Sequence, residues 1–354
     1  MNAKTINDKC LIKNFSIKDA EEFFLSINDK KYRAKQLFIW LYEMNIDSFS
    51  LMTNFSKPLR SFLNDKFYIS PLTLEQRLIS KIDGTEKYLF KTRDNLFIES
   101  VLIKNEKKDD GRITICLSSQ VGCAMGCRFC QTSLLGFKRN LEVAEILDQI
   151  SQIRRISGLR NNNIVFMGMG EPFMNYDNVL KASEIMNYSF GLHISVRKIT
   201  ISTCGIKHGI EKFMDEKRPF NLAISLNDTL SEKRKKYMPV EKKYPISEIS
   251  DLLNYKQPSS RNRLTVEYVM RKDNISSDDA KRIKKIFPSN RIILNLIAIN
   301  SGDHGIEPPT EEEIEAFIKE CNIMNLSTIF RKSMGADIKG ACGQLSGSIE
   351  KGKK

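Results

Sequence analysis

Residues 121–130 read VGCAMGCRFC, and the three cysteines within them, Cys123, Cys127 and Cys130, stand in a CxxxCxxC spacing. Three thiols this close in the chain must be turned inward by one tight loop, and Gly122 and Gly126 supply the backbone freedom for it. Thiolates are the usual holders of iron–sulfur clusters. A four-iron cluster held by only three of them keeps one iron open to a ligand that is not protein, and an open iron is a reaction centre. A structural zinc site is the other reading of clustered cysteines, but it requires a fourth protein ligand. The next cysteine downstream is Cys204, far outside finger-type spacing.

A length of 354 residues is ample for a buried core and for one large domain with an appendage, or for two domains. Lys and Arg number 56 against 43 Asp and Glu, a formal charge of +13. That excess favours a polyanionic partner, because cations facing phosphates release counterions. Nucleic acid is the natural candidate, although lysines that only solvate helix faces account for the same charge. Basic clusters lie at Arg154 and Arg155, at Lys233 to Lys236, and at Lys281, Arg282, Lys284 and Lys285. No apolar run approaches the ~20 residues that span a bilayer. The amino-terminal MNAKTINDKC lacks the apolar core of a signal peptide, so a cytoplasmic protein without membrane contact is expected. Eight cysteines in a chain of this length, three of them in one motif, point to metal and redox chemistry rather than a secreted disulfide framework.

From Ser16 to about Leu63 apolar residues recur at helical spacing, as at Ala34, Leu37, Phe38 and Leu41, with Lys30, Lys31, Arg33 and Lys35 at one tip. From Leu74 to Ile103 short alternating runs flank Asp83-Gly84 and Arg93-Asp94-Asn95, which are hairpin signals. Beyond them, β-rich runs at 113–117, 164–167, 199–202, 222–226, 264–269, 292–297 and 327–330 alternate with helical patterns at 143–156, 178–187, 246–255, 277–286 and 311–324. Such alternation predicts parallel βαβ units. The expected division is a helical accessory domain over 1–70, a β-hairpin lead-in over 71–110, and an α/β core over 111–354 that ends in a Gly/Lys tail.

CxxxCxxC followed by a strand that ends in Gly168-Met169-Gly170-Glu171-Pro172 resembles the radical S-adenosylmethionine (SAM) enzymes. The run Cys116-Leu117-Ser118-Ser119-Gln120-Val121-Gly122-Cys123, the segment Gly136-Phe137-Lys138-Arg139-Asn140-Leu141 and the tail Ala341-Cys342-Gly343-Gln344-Leu345 narrow the likeness to the RlmN family. The resemblance runs from about Tyr32 to Gly347 and implies a partial, open (β/α)6 radical SAM barrel with its site at the carboxyl ends of the strands. It implies methylation of adenine carbon 2 in 23S ribosomal RNA and transfer RNA, with a 4Fe-4S cluster and SAM as cofactors. A reductant protein supplies electrons in this reading, the accessory domain contacts RNA, and nothing in the chain requires a partner subunit, so a monomer is expected.

The same resemblance assigns residues. Cys123, Cys127 and Cys130 hold the cluster. Gly170, Glu171, Ser202, Ser225, Leu226, Asn227 and Asn300 occupy SAM-binding positions, Asn227 standing where the family usually has His. Adenine carbon 2 carries no acidic hydrogen and is electron-poor, so a methyl cation cannot be placed on it directly. Cys342 is implied to take a methyl group from one SAM, which a radical then activates. Cys116 is implied to assist removal of the ring proton and to release product by a disulfide with Cys342, reduced later by thiol exchange. Glu99 matches a family proton acceptor, separated from Cys116 by the insertion-like 104–110; an exposed strand carboxylate is the competing reading. Cys321 shares a helix stripe with Ile314, Phe317 and Ile318 and reads as core, and Cys10, Cys204, His193, His208 and His304 carry no motif. Two alternatives stay open: a sister class that methylates carbon 8 of the same ribosomal adenine, against which Pro172 argues, and a non-catalytic metal-dependent RNA-binding module.

Overall fold

The structure is a computed structural model that describes residues 9–104, 111–256, 264–288, 292–300 and 305–348. His304, most of the insertion-like segment and the end of the Gly/Lys tail lie outside them. The amino-terminal unit holds helices α1 (Ile17–Ser26), α2 (Tyr32–Phe38) and α3 (Lys57–Lys66), tied by a two-residue parallel pair, β1 (Cys10–Leu11) and β2 (Phe67–Tyr68). Ser16 and Asp19 form a reciprocal capping box that starts α1, and Ser56 with Pro58 starts α3.

A ten-stranded sheet follows. β3 (Thr73–Ile79), β4 (Glu86–Lys91) and β5 (Phe97–Lys104) are antiparallel, and β5 pairs antiparallel with β6 (Ile113–Cys116). The two-residue pair β7 (Gln120–Val121) and β8 (Arg139–Asn140) brackets the three-cysteine loop outside this sheet. From β6 the order is strictly sequential and parallel through β9 (Asn163–Phe166), β10 (Ile199–Thr203), β11 (Asn221–Ser225), β12 (Leu264–Met270), β13 (Ile292–Ala298) and β14 (Thr328–Arg331). Among the described residues the parallel part has seven strands, and the sheet stays open, with β14 and β3 as its edges.

Helices α4 (Val143–Ser157), α5 (Tyr176–Asn187), α6 (Lys207–Asp215), α7 (Ser231–Tyr237), α8 (Ile246–Tyr255), α9 (Ser277–Ile286) and α10 (Glu311–Ile323) fill the crossovers. Ile164, Phe166, Ile201, Leu222, Ile224, Val266, Leu294 and Leu296 are all buried, as strands covered on both faces require. Reciprocal capping boxes start α4, α9 and α10, and Gly158 in the left-handed region stops α4. Cys321 is buried in the core, as its stripe predicts. The sequence patterns did not find α6 or α7. The seven residues of α7, SEKRKKY, carry no apolar stripe, and the run reads as a solvated charge cluster.

Several of the basic clusters are in fact structural. Arg154 Nε donates to Asn161 Oδ1 at 2.7 Å, Arg282 Nη2 to Asp279 Oδ1 at 2.7 Å, and Arg234 is wholly buried. The amino-terminal unit is bolted to α4 by another buried cation. Lys13 Nζ donates to Asp148 Oδ1 at 2.7 Å and to Ser151 Oγ at 2.9 Å, and Asp148 Oδ2 also accepts the Leu72 N–H. Neither side chain of the pair has exposed surface, and burial pulls the Lys13 pKa down despite its partner. Lys13→Met leaves the Asp148 charge buried without its counter-ion, so it should destabilise the protein by about 3–5 kcal/mol. The shift of the urea unfolding midpoint measures this, and an unchanged midpoint would contradict it.

Candidate active site

One cleft, open to solvent at its mouth, lies at the carboxyl ends of the parallel strands. Cys123, Cys127, Cys130, Gly170, Glu171, Ser202, Ser225, Asn227, Asn300 and Cys342 all line it, although they come from segments more than 200 residues apart. Cys116, Glu99 and Leu226 do not.

The cysteine loop is held from three sides. The Cys123 N–H donates to the Gly136 carbonyl at 3.2 Å, the Arg128 N–H to the Tyr237 carbonyl at 2.9 Å, and the Gln131 N–H to the Gly343 carbonyl at 2.7 Å. Ser133 Oγ donates to the carbonyls of Cys127 and Cys130. Gly122, at φ +72°, is needed for this closure, since a Cβ there would meet the Gly136 oxygen at 1.8 Å. All eight cysteines are free, so the expected disulfide between Cys116 and Cys342 is not formed in this structure. Burial pushes the Cys123 thiol up to about 12 and raises that of Cys127 well above the usual thiol range, assisted by mutual repulsion within the trio. Among the described residues no three His, Cys, Asp or Glu side chains converge on a single ion. In a four-iron cluster each thiolate binds a different iron, so three thiols spread around one cleft fit that donor set.

The segment after β9 packs against the continuation of β6. The Gly168 N–H donates to the Leu117 carbonyl and the Met169 N–H to Ser118 Oγ. A Cβ on Gly168 would lie 2.7 Å from the Leu117 oxygen, and one on Gly170, at φ +101°, 2.5 Å from Gln120 Cβ. Glu171 is buried and bridges two strand ends, accepting from the Cys204 N–H at 2.7 Å and the Phe173 N–H at 3.0 Å. Burial pushes its carboxyl up against those hydrogen bonds.

Beyond β11, Asn227 adopts a left-handed backbone at φ +56°, which asparagine tolerates. Its Oδ1 accepts the Val269 N–H at 2.9 Å and its Nδ2 points at Met238 Sδ, so the amide is largely committed to the protein. Leu226 is fully buried, with its N–H on the Glu267 carbonyl and its own carbonyl on Arg234 Nε. It therefore supports the wall from behind.

Three residues that carried no motif signal complete the site. Arg234 donates to the carbonyls of Cys204, Ser225 and Leu226, each at 2.9 Å, and pairs with Glu241. Cys204 lines the cleft beside the trio. Its place just past the end of β10 was the available signal. Glu267 also faces the cleft, 5% exposed, with Oε2 accepting from Asn295 Nδ2 at 2.6 Å; within a strand read as core it gave none.

Cys342 is crowded by protein yet reachable from solvent. Burial pushes its thiol up to about 12, and repulsion from the nearby Cys116, Cys130 and Glu267 adds to it, with Arg331 opposing. Asn300 Nδ2 reaches its carbonyl at 3.4 Å. Cys116, at the end of β6, is buried and likewise raised to about 12 by burial. Glu99 is not the exposed strand carboxylate of the competing reading. It has no exposed surface, lies 3.1 Å from Lys87 Nζ through Oε1, and accepts the Ser346 and Gly347 N–H groups at Oε2.

Comparisons with known proteins identify the family. Residues 12–69 match the ribosomal RNA large subunit methyltransferase N-terminal domain, and residues 117–273 match the radical SAM superfamily. The chain is 41% identical over 341 residues to the dual-specificity RNA methyltransferase RlmN of Geobacter sulfurreducens, covering 96% of this chain and 92% of that protein. It is 40% identical to the protein of the same name from Geotalea uraniireducens, covering 98% and 99%. A crystal structure of a radical SAM methyltransferase from Sphaerobacter thermophilus superposes with a TM-score of 0.88 at 31% identity, over 96% of this chain and all of that one. The chain belongs to the RlmN family of dual-specificity RNA methyltransferases, radical SAM enzymes built on an open α/β barrel.

Proposed function

We propose that this enzyme methylates carbon 2 of an adenine in 23S ribosomal RNA, and in transfer RNA, through a methyl group carried on Cys342. The observation that carries the reading is the placement of Cys342 on the wall of the three-cysteine cleft, with Cys116 close behind it. Cys123, Cys127 and Cys130 would hold a 4Fe-4S cluster, and Gly170, Glu171, Ser202, Ser225, Asn227 and Asn300 would surround SAM. When bound, these two groups supply the radical that removes a hydrogen atom from the methyl on Cys342.

The residues of the chain do the rest. Cys342 sulfur attacks the methyl of a sulfonium, forming a thioether as the sulfonium bond breaks. Its raised pKa makes the proton the obstacle, and Arg331 is the nearby cation that favours the thiolate. After the activated carbon has bonded to adenine, the adduct gives one electron to an external acceptor and its ring proton to the thiolate of Cys116, whose sulfur then attacks Cys342 sulfur as that proton passes on to the departing carbon. The sulfur–sulfur bond forms, the carbon–sulfur bond breaks, and its electron pair takes up a proton to leave a methyl group. An external thiol then reduces the disulfide. RNA would approach over the exposed Lys30, Lys31, Tyr32 and Lys35 of the helical unit and over Arg128 and Lys236 beside the cleft. A separate electron donor would act on the cluster, and the chain would work as a monomer.

Anaerobically reconstituted protein with SAM, reductant and protein-free 23S RNA should yield 2-methyladenosine by mass spectrometry; 8-methyladenosine instead would move the enzyme to the sister class. Cys342→Ala should reduce methylation by more than about 10³-fold, as loss of a covalent nucleophile does, and surviving turnover would exclude the thioether. Cys116→Ala should accumulate a covalent protein–RNA adduct on denaturing gels, and a clean gel at full turnover would remove Cys116 from release. Gly170→Ala, whose Cβ would strike Gln120, should weaken SAM binding in equilibrium dialysis at least tenfold, the equivalent of ~1.4 kcal/mol.

A further inference from the structure

Cys342 sits in the middle of a strap that leaves β14 and runs back across β4 and β5. The strap is pinned on arrival, where the Gly335 N–H donates to Asp83 Oδ2 at 2.8 Å and Asp337 Oδ2 accepts the Lys81 N–H at 3.2 Å. Three residues before Cys342, the carbonyl of Lys339 accepts from Lys87 Nζ at 3.3 Å. Four and five residues after it, the N–H groups of Ser346 and Gly347 both donate to Glu99 Oε2, at 2.6 and 2.9 Å. Lys87 and Glu99 in turn pair with each other, Nζ to Oε1 at 3.1 Å, with side chains 2% and 1% exposed. Glu99 Oε1 accepts no hydrogen bond, so this is a charge contact. The two residues are diagonal neighbours on one face of the β4–β5 ladder, where Leu89 stands opposite Glu99 and Lys87 opposite Val101. One buried ion pair on a rigid hairpin thus grips both feet of the loop that carries Cys342.

We infer that Lys87 and Glu99 are positioning residues: their ion pair clamps the two ends of the 339–347 strap and sets where the Cys342 sulfur stands in the cleft. A proton acceptor for adenine would need an oxygen presented to the cleft. Oε2 of Glu99 is instead taken by two strap amides, Oε1 faces Lys87 Nζ as a charge contact, and the residue does not line the cleft. Such a contact between a full charge and two backbone amides is stronger than neutral ones. The inference rests on the proposed function only in taking Cys342 as the methyl carrier; the clamp itself is independent of it.

The test compares reconstituted unsubstituted protein with Glu99→Gln, Lys87→Met and Lys87→Arg. Hydrogen exchange of the 340–348 peptide and the fraction of Cys342 carrying a methyl group, read by peptide mass after incubation with SAM, are followed together. A clamp predicts that Glu99→Gln and Lys87→Met each raise strap exchange by roughly 10- to 100-fold, the range for losing a hydrogen bond to a charged group. Exchange in α4 should stay unchanged, methyl-Cys342 should fall in step with the lost protection, and Lys87→Arg should restore both. Unchanged strap exchange in Glu99→Gln, with Cys342 methylated as before and a covalent RNA adduct building up, would overturn the clamp and return Glu99 to proton removal. If the unsubstituted protein never gains a methyl on Cys342, the proposed function fails and the exchange data alone decide the clamp. Should Glu99→Gln not fold, Lys87→Met carries the test, because it leaves every acceptor of Glu99 in place.

Discussion

Where parallel strands end, their last carbonyls point out of the sheet with no ladder partner, and an enzyme that places its cleft there must satisfy them without filling it. Arg234 does this for three strand-end carbonyls, and Arg271 does the same further along by donating to the Asn227 carbonyl and pairing with Asp228. The Arg271 guanidinium also lies 3.9 Å from the ring of Tyr237, whose carbonyl holds the cysteine loop. Helix α7 therefore joins the carboxyl ends of β10 and β11 to the loop that presents the three thiols. Without that brace the walls of the cleft would have no fixed spacing.

Close backbone approach is the second condition. Gly168 and Gly170 let the turn after β9 lie against residues 117–120, and Gly343 lets the strap lie against the cysteine loop, where a Cβ would come within 2.8 Å of the Phe129 oxygen. These contacts bring the strap, the loop and the strand ends into one cleft although they are far apart in the chain. The antiparallel strands β3 to β5 extend the sheet past β6, and in doing so provide the hairpin that grips the strap. Their role is mechanical support for a thiol more than 200 residues away.

Much of this architecture could be read directly. The alternation of apolar runs and helical stripes placed all seven parallel strands and five of the seven crossover helices within a residue or two, because burial on both faces and capping boxes leave local marks. Helix α7 escaped because its single buried side chain is an arginine, and a charge is read as solvated until its carbonyl partners are known. The resemblance puts Asn227 at a SAM-binding position, yet its amide is mostly occupied by Val269 and Met238.

The sequence by itself determined the family, the βαβ order and the three-thiol loop, since these depend on spacing and periodicity along the chain. It also marked Cys342 as a thiol flanked by glycines. Only the tertiary structure decided that Cys204 and Glu267 face the same cleft, that Arg234 is buried beneath it, and that Glu99 and Lys87 hold the strap. Each of those facts is a contact between residues distant in sequence. The energy of such a contact depends on desolvation and on which partner arrives, and neither is written in the residues on either side.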